Sequence, residues 1–320
     1  MEFEKTLQVG NIKSVDKKLD DIFNKCNVKK DNFLDVLIAN GYTWHCGGMS
    51  DPFQPIEKKL GITKQLLDVT NKHKIHILFS TKSDTTYDCD IHPDLHTFQL
   101  SVTNVCNRRD IEPNVEDIQK RQAFFEKLKT DGFKVGIRIQ PFIPNVTTTE
   151  IIDMFETADH FTIEGLKLVP QNKEHKEYLL ELTGLSSQDF TQMGLLNLKP
   201  ELRLRLYEPF IQKLKEKGLS YSIADNDLHH IGTSKCCCGD ALIGQSTDFN
   251  NTAMLYKYGI NYTKQQVDEE LSSCGVCECK CNHLFTSNRQ EGCVTVQDFY
   301  DKRFERKSSP FSPKFLYNNP

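Results

Sequence analysis

Between residues 43 and 223 short apolar runs alternate with longer amphipathic stretches, and this rhythm leaves few folds open. Six runs have strand length: Thr43–Gly47, Ile75–Phe79, Thr97–Val102, Phe133–Ile139, Phe161–Leu168 and Leu219–Ile223. Helical spacing fills the gaps, around Thr63–Val69, Val115–Thr130, Thr148–Thr157 and Glu201–Lys217. Strands separated by helices are joined by crossovers, so they lie parallel rather than in hairpins. The expected class is α/β, a partial (β/α) TIM-type barrel of parallel strands with a Cys-rich irregular C-terminal extension. In such folds the loops after the carboxyl ends of the strands carry the function.

Ahead of the first strand, Val15, Leu19, Ile22, Phe23 and Cys26 recur at helical spacing with Ser14 as the expected N-cap. A second helix is expected over Phe33–Ala39, stopping at Gly41. Thr63 is read as the cap of the helix through Leu66, Leu67 and Val69, and Asp131-Gly132 closes the long helix. The organisation expected is a barrel over residues 1–225, a Cys-rich metal-binding extension over 226–306 and an arm over 307–320.

With 320 residues, a core is long enough to need no staple. No apolar run reaches the roughly 18 residues of a membrane span, and MEFEKTLQVG is no signal peptide. The expectation is a cytoplasmic protein without a membrane partner. A net charge of -4 argues against general phosphate binding, although KRFERK at 302–307, with Phe304 and Phe311, leaves a local nucleic-acid contact open beside a solvated face.

Polar groups gather at the predicted strand ends. The first strand runs into Gly47-Gly48-Met49-Ser50-Asp51, where two glycines allow close backbone approach to a ligand and Ser50 and Asp51 offer polar atoms. The same string also suits an ordinary capped turn, and His45 beside it suits a neutral, hydrogen-bonded packing role. Lys82 follows the second strand, as a solvated charge or a partner for a ligand carboxylate. Ser101 ends the third, followed by Asn104, Arg108, Arg109 and Glu112. Arg138 lies within an apolar run of the fourth, which leaves a ligand contact or a structural ion pair.

Taken in order, GGMSDPFQPIE, STKSD, the Ser101 strand and RIQPFIP resemble the radical SAM superfamily, in its spore photoproduct lyase and DNA repair photolyase-like branch. The resemblance covers roughly residues 30–225. It implies that Gly47, Gly48, Met49 and Ser50, with Asp51 at the mouth, form the turn holding the methionine amino end of S-adenosyl-L-methionine. It further implies contacts from Ser50, Lys82 and Ser101 to the amino-acid and ribose parts, with Arg138 near the methionine carboxylate. The implied chemistry is radical hydrogen abstraction, in which the cofactor carries the difficult step.

Two departures limit that implication. The family's CxxxCxxC loop, whose thiolates hold a four-iron, four-sulfur cluster, occurs nowhere in the chain. Residues 1–40 resemble the segment that follows the missing loop, so the first βα unit is expected upstream, on a separate polypeptide, or lost from a remnant. An electron donor is a further expected partner. The lyase's hydrogen-donating cysteine position, two residues before the serine of the turn, is Gly48, which argues against spore photoproduct as substrate.

Eight of the 12 cysteines lie late in the chain: Cys236, Cys237, Cys238, Cys274, Cys277, Cys279, Cys281 and Cys293. A CxxC pair delivers two thiolates to one metal from a tight turn, so this cluster is read as a zinc site or an auxiliary iron–sulfur cluster. His283, and His229 or His230 after Asp225-Asn226-Asp227, are further ligand candidates or polar loop residues. Cys26, Cys46, Cys89 and Cys106 are expected as small buried hydrophobes. A non-catalytic metal-binding remnant of a barrel is the alternative to an enzyme.

Overall fold

The computed structural model describes residues 10–29, 35, 38, 39, 41–48, 50–168, 172–190, 196–225, 228, 231–234, 238, 239 and 242. Its strands are β1 (Trp44–Cys46), β2 (Ile77–Thr81), β3 (His96–Ser101), β4 (Lys134–Phe142), β5 (His160–Gly165), β6 (Lys167–Leu168), β7 (Leu196–Asn197) and β8 (Tyr221–Ile223). The helices are α1 (Ile12–Phe23), α2 (Glu57–Leu60), α3 (Ile62–Lys72), α4 (Ile118–Thr130), α5 (Glu150–Met154), α6 (Lys173–Thr183) and α7 (Pro200–Glu216). A six-stranded sheet runs β1-β2-β3-β4-β5-β8 with every pair parallel, and β6 and β7 form a small antiparallel ribbon. This is the architecture of a partial β/α barrel.

Side chains alternate across each strand, so the two faces of the sheet differ. One face presents Phe79, Phe98, Ile137, Phe161, Ile163 and Tyr221 to Leu67, Phe125, Leu128, Phe155 and Leu214 of the crossover helices in a single core. Phe53, from the loop after β1, enters this core with its ring centroid 5.1 Å from that of Phe79, which fixes the path of that loop. The opposite face is mostly polar: Ser80, Gln99, Ser101, His160, Thr162, Glu164 and Ser222 are all buried there. At the amino-terminal end of this inner face Leu78 packs with Cys238 and Leu242.

That last contact comes from beyond residue 225, where the Cys-rich extension was expected to begin. Leu228 also joins the main core, and the Thr233 backbone N–H donates to the Tyr221 carbonyl at 2.8 Å. The described residues of the expected extension therefore pack on the barrel.

Several local expectations are corrected. Asn11, not Ser14, caps α1, its side chain accepting from the Ser14 backbone N–H at 3.2 Å. Cys26 lies beyond that helix, exposed and with φ of 53°, and Cys106 is exposed too, so neither is a buried hydrophobe. The periodicity of an apolar stripe does not see the stop, because Asn24 closes the helix first. Thr63 is not a cap: left-handed Gly61 precedes α3, and the Thr63 hydroxyl donates to the Pro52 carbonyl at 2.6 Å. The long helix begins at Ile118 rather than Val115, after Asp117 in extended backbone.

Candidate functional site

The carboxyl edge of β1 to β5 gathers the polar residues singled out above. Gly47 adopts φ of +116°, and a Cβ there would sit 2.1 Å from the Ser80 carbonyl oxygen, so only glycine lets the turn lie against β2. Asp51 then ties the loop to the neighbouring strand. One carboxylate oxygen accepts from the Phe53 N–H at 2.9 Å and the Thr81 hydroxyl at 2.7 Å, and the other accepts from the Lys82 N–H at 2.7 Å. Gly48 and Ser50 are exposed on this turn, and Met49 lies outside the described residues.

The Lys82 ammonium pairs with Glu112 from the loop after β3. Glu112 also accepts from the Thr103 hydroxyl at 3.2 Å, and its other oxygen lies 3.9 Å from the buried Arg121 guanidinium of α4. Arg121 in turn donates to the Ser101 carbonyl at 2.8 Å. The register pairs Thr81 with Leu100 and Ser101 with Arg138, which brings Lys82, Ser101 and Arg138 to adjacent strand ends.

Arg138 forms a structural ion pair with Glu164. Its guanidinium donates to Gln140, to Gln99 at 3.2 Å and to Glu164, and Glu164 also holds Lys167. A buried arginine requires such partners. Behind it a polar row crosses the sheet. His45 Nε2 lies 2.8 Å from Ser80 Oγ, Ser80 donates to Gln99 at 3.1 Å, and Gln99 donates to Thr162 at 3.0 Å. Ser222 continues the row at 3.3 Å from Thr162 and 2.9 Å from His160. Glu112 was named in the sequence only as a polar residue after the third strand, and Arg121, Gln99, Thr162 and Glu164 were missed. The alternation in HTFQLS and HFTIEG is the signal that exposes Gln99, Thr162 and Glu164 as one face.

Lys82 and Arg138 supply cationic donors and Ser50 and Ser101 supply hydroxyls, groups that pair with carboxylates and with hydroxyls. They do not suit an iron–sulfur cluster. Among the described residues no group of three or more His, Cys, Asp or Glu is arranged to hold a metal ion. Burial first, then Asp51 and Glu57, pushes the Cys46 thiol up to about 11, so it stays protonated at neutral pH. Cys238 is buried in the apolar patch with Leu78 and Leu242. Cys236, Cys237, Cys274, Cys277, Cys279, Cys281, Cys293, His229, His230, His283 and residues 302–307 lie outside the described residues. No helix among the described residues is long and apolar enough to cross a membrane.

No protein-family model matches the chain. An uncharacterized protein of Methanocaldococcus jannaschii is 29% identical over 166 residues, which is 48% of this chain and 61% of that protein. Spore photoproduct lyase complexed with dinucleoside spore photoproduct matches with a TM-score of 0.44 at 16% identity, over 64% of this chain and 66% of that one. SuiB of Streptococcus suis bound to S-adenosylmethionine matches with a TM-score of 0.41 at 12% identity, over 69% of this chain and 44% of that one. The chain thus spans less than two thirds of the archaeal protein and of each of these two structures.

Proposed function

We propose that the carboxyl edge of β1–β4 binds S-adenosylmethionine and that the chain is the cofactor-holding part of a radical SAM-type enzyme. One observation carries the reading: four strings spread from residue 47 to residue 144 meet on one edge of a parallel sheet. Lys82 would hold the methionine carboxylate, with Ser50 and Ser101 offering hydroxyls to the amino-acid and ribose parts. Arg138, already held by Glu164, Gln99 and Gln140, orients the floor beneath them. Asp51 keeps the glycine turn against β2 and spends its carboxylate on that task.

When bound and reduced, the cofactor supplies radical hydrogen abstraction. The described residues do not fit the iron–sulfur cluster that such reduction uses. In this reading the cluster thiolates come from a CxxxCxxC unit outside this sequence, with an electron donor, while the Cys-rich extension binds zinc or an auxiliary cluster. Because Gly48 replaces a hydrogen-donating cysteine, the substrate is something other than spore photoproduct.

Isothermal titration of the full chain with S-adenosylmethionine tests the pocket. Binding is expected, with a loss of about tenfold or more in Lys82→Ala, the scale of one charged contact. An absence of heat in the wild type, or equal affinity in Lys82→Ala, overturns the reading. Anaerobic reconstitution with iron, sulfide and zinc analysis tests the extension. Metal retained without cofactor binding would instead favour the non-catalytic metal protein.

A further inference from the structure

Lys82, Glu112 and Arg121 form an unevenly satisfied triad. Glu112, with its side chain 9% exposed, gives one oxygen to Lys82, which is 33% exposed at the mouth. Its other oxygen faces Arg121, only 5% exposed, across 3.9 Å, too far for a good hydrogen bond. The Nε of Arg121 is buried and has no hydrogen-bond partner among the described residues. A guanidinium out of water with an open donor gains from a closer carboxylate.

We propose that Glu112 is an exchangeable counter-ion: a ligand carboxylate arriving at Lys82 displaces it, and Glu112 closes on Arg121. This rests on the proposed cofactor site and adds how that site admits its ligand. Before binding, one good ion pair and one loose one share a single carboxylate. Afterwards Lys82 holds the ligand carboxylate and Arg121 holds Glu112, so no buried charge is left stranded. Thr103 keeps Glu112 tethered to the end of β3 during the swing. Arg121 also grips the Ser101 carbonyl, so the exchange is felt at the neighbouring hydroxyl that the cofactor would meet.

The exchange predicts effects of opposite sign on two sides of one pair. Glu112→Gln removes the competitor for Lys82, and S-adenosylmethionine should bind about tenfold tighter. Arg121→Gln removes the acceptor of the displaced carboxylate, and binding should weaken about tenfold. Arg121→Lys, which keeps the charge, should restore most of it and serves if the glutamine variant fails to fold. In the Glu112→Gln background the Arg121 substitution should lose its effect, since the coupled partner is gone. Decarboxylated S-adenosylmethionine, which brings no carboxylate, should bind wild type and Glu112→Gln alike.

Calorimetry on the full chain reads all of these without any turnover. Weakening in both single variants, or no change in Glu112→Gln, overturns the exchange and assigns Glu112 a purely architectural role while the cofactor site stands. No binding of S-adenosylmethionine to the wild type removes the cofactor site and the exchange with it.

Discussion

Asp51 concentrates in one carboxylate the link between the β1 loop and the end of β2. Three donors converge on it, two of them backbone N–H groups. Asp51→Ala should therefore cost about 3 kcal/mol of stability, because three part-buried donors lose their acceptor rather than one. Asp51→Asn should recover part of this, and urea denaturation checks both. An unchanged midpoint in Asp51→Ala would show that the loop is held by Phe53 packing alone. The residues that matter chemically were only partly legible. Gly47, Lys82 and Ser101 stood out because each follows or ends an apolar run, and Arg138 because it lies within one. The pairing of Glu112 and the presence of Glu164 did not, because a carboxylate 30 residues from its lysine and one 26 residues from its arginine carry no local pattern. Asp51 was legible as a polar group at the mouth, yet its partners lie on another strand, so its structural task was not.

At the scale of elements, the six parallel strands follow from crossover length, and each expected run contains or overlaps an observed strand. Boundaries moved because hydrogen-bond registers, not hydrophobicity, decide them: β4 continues through the polar residue Gln140 to Phe142. The segment around Gly239 was illegible, since its partner is His160 on β5. Gly239 has φ of +84°, and a Cβ there would lie 2.4 Å from the His160 ring. Gly239→Ala should dislodge this segment from the inner face, costing about 2 kcal/mol. Cys238, now buried, should then alkylate faster, as peptide mass spectrometry after brief iodoacetamide treatment will read. Equal labelling of Cys238 in wild type and variant would contradict the packing.

Over the whole molecule the sheet is apolar where helices cover it and polar within, an interior unlike the branched-aliphatic filling of a closed barrel core. A buried histidine makes the fold sensitive to acid. His96 sits at the start of β3 with Nδ1 accepting from the His92 N–H at 2.8 Å, and burial first, then His92, lowers its pKa to about 4 from an ordinary 6.5. The folded state thus disfavours the proton that the unfolded chain accepts. The stability this contributes is complete above pH 6.5 and is lost as pH falls towards 4, about 3 kcal/mol in all. Denaturation at both ends of that window, in wild type and His96→Gln, should show a smaller acid loss in the variant. Identical losses would place the acid sensitivity elsewhere.

The central claim concerns the edge where β1 to β4 end. Its most direct measurement is a crystal structure of the chain grown with S-adenosylhomocysteine, the stable analogue that keeps the amino-acid and nucleoside parts. Ligand density is expected between Gly47-Gly48, Lys82 and Ser101, with its carboxylate on the Lys82 ammonium. Density on any other surface, or an unaltered Lys82–Glu112 pair at saturating ligand with nothing bound beside it, would contradict it.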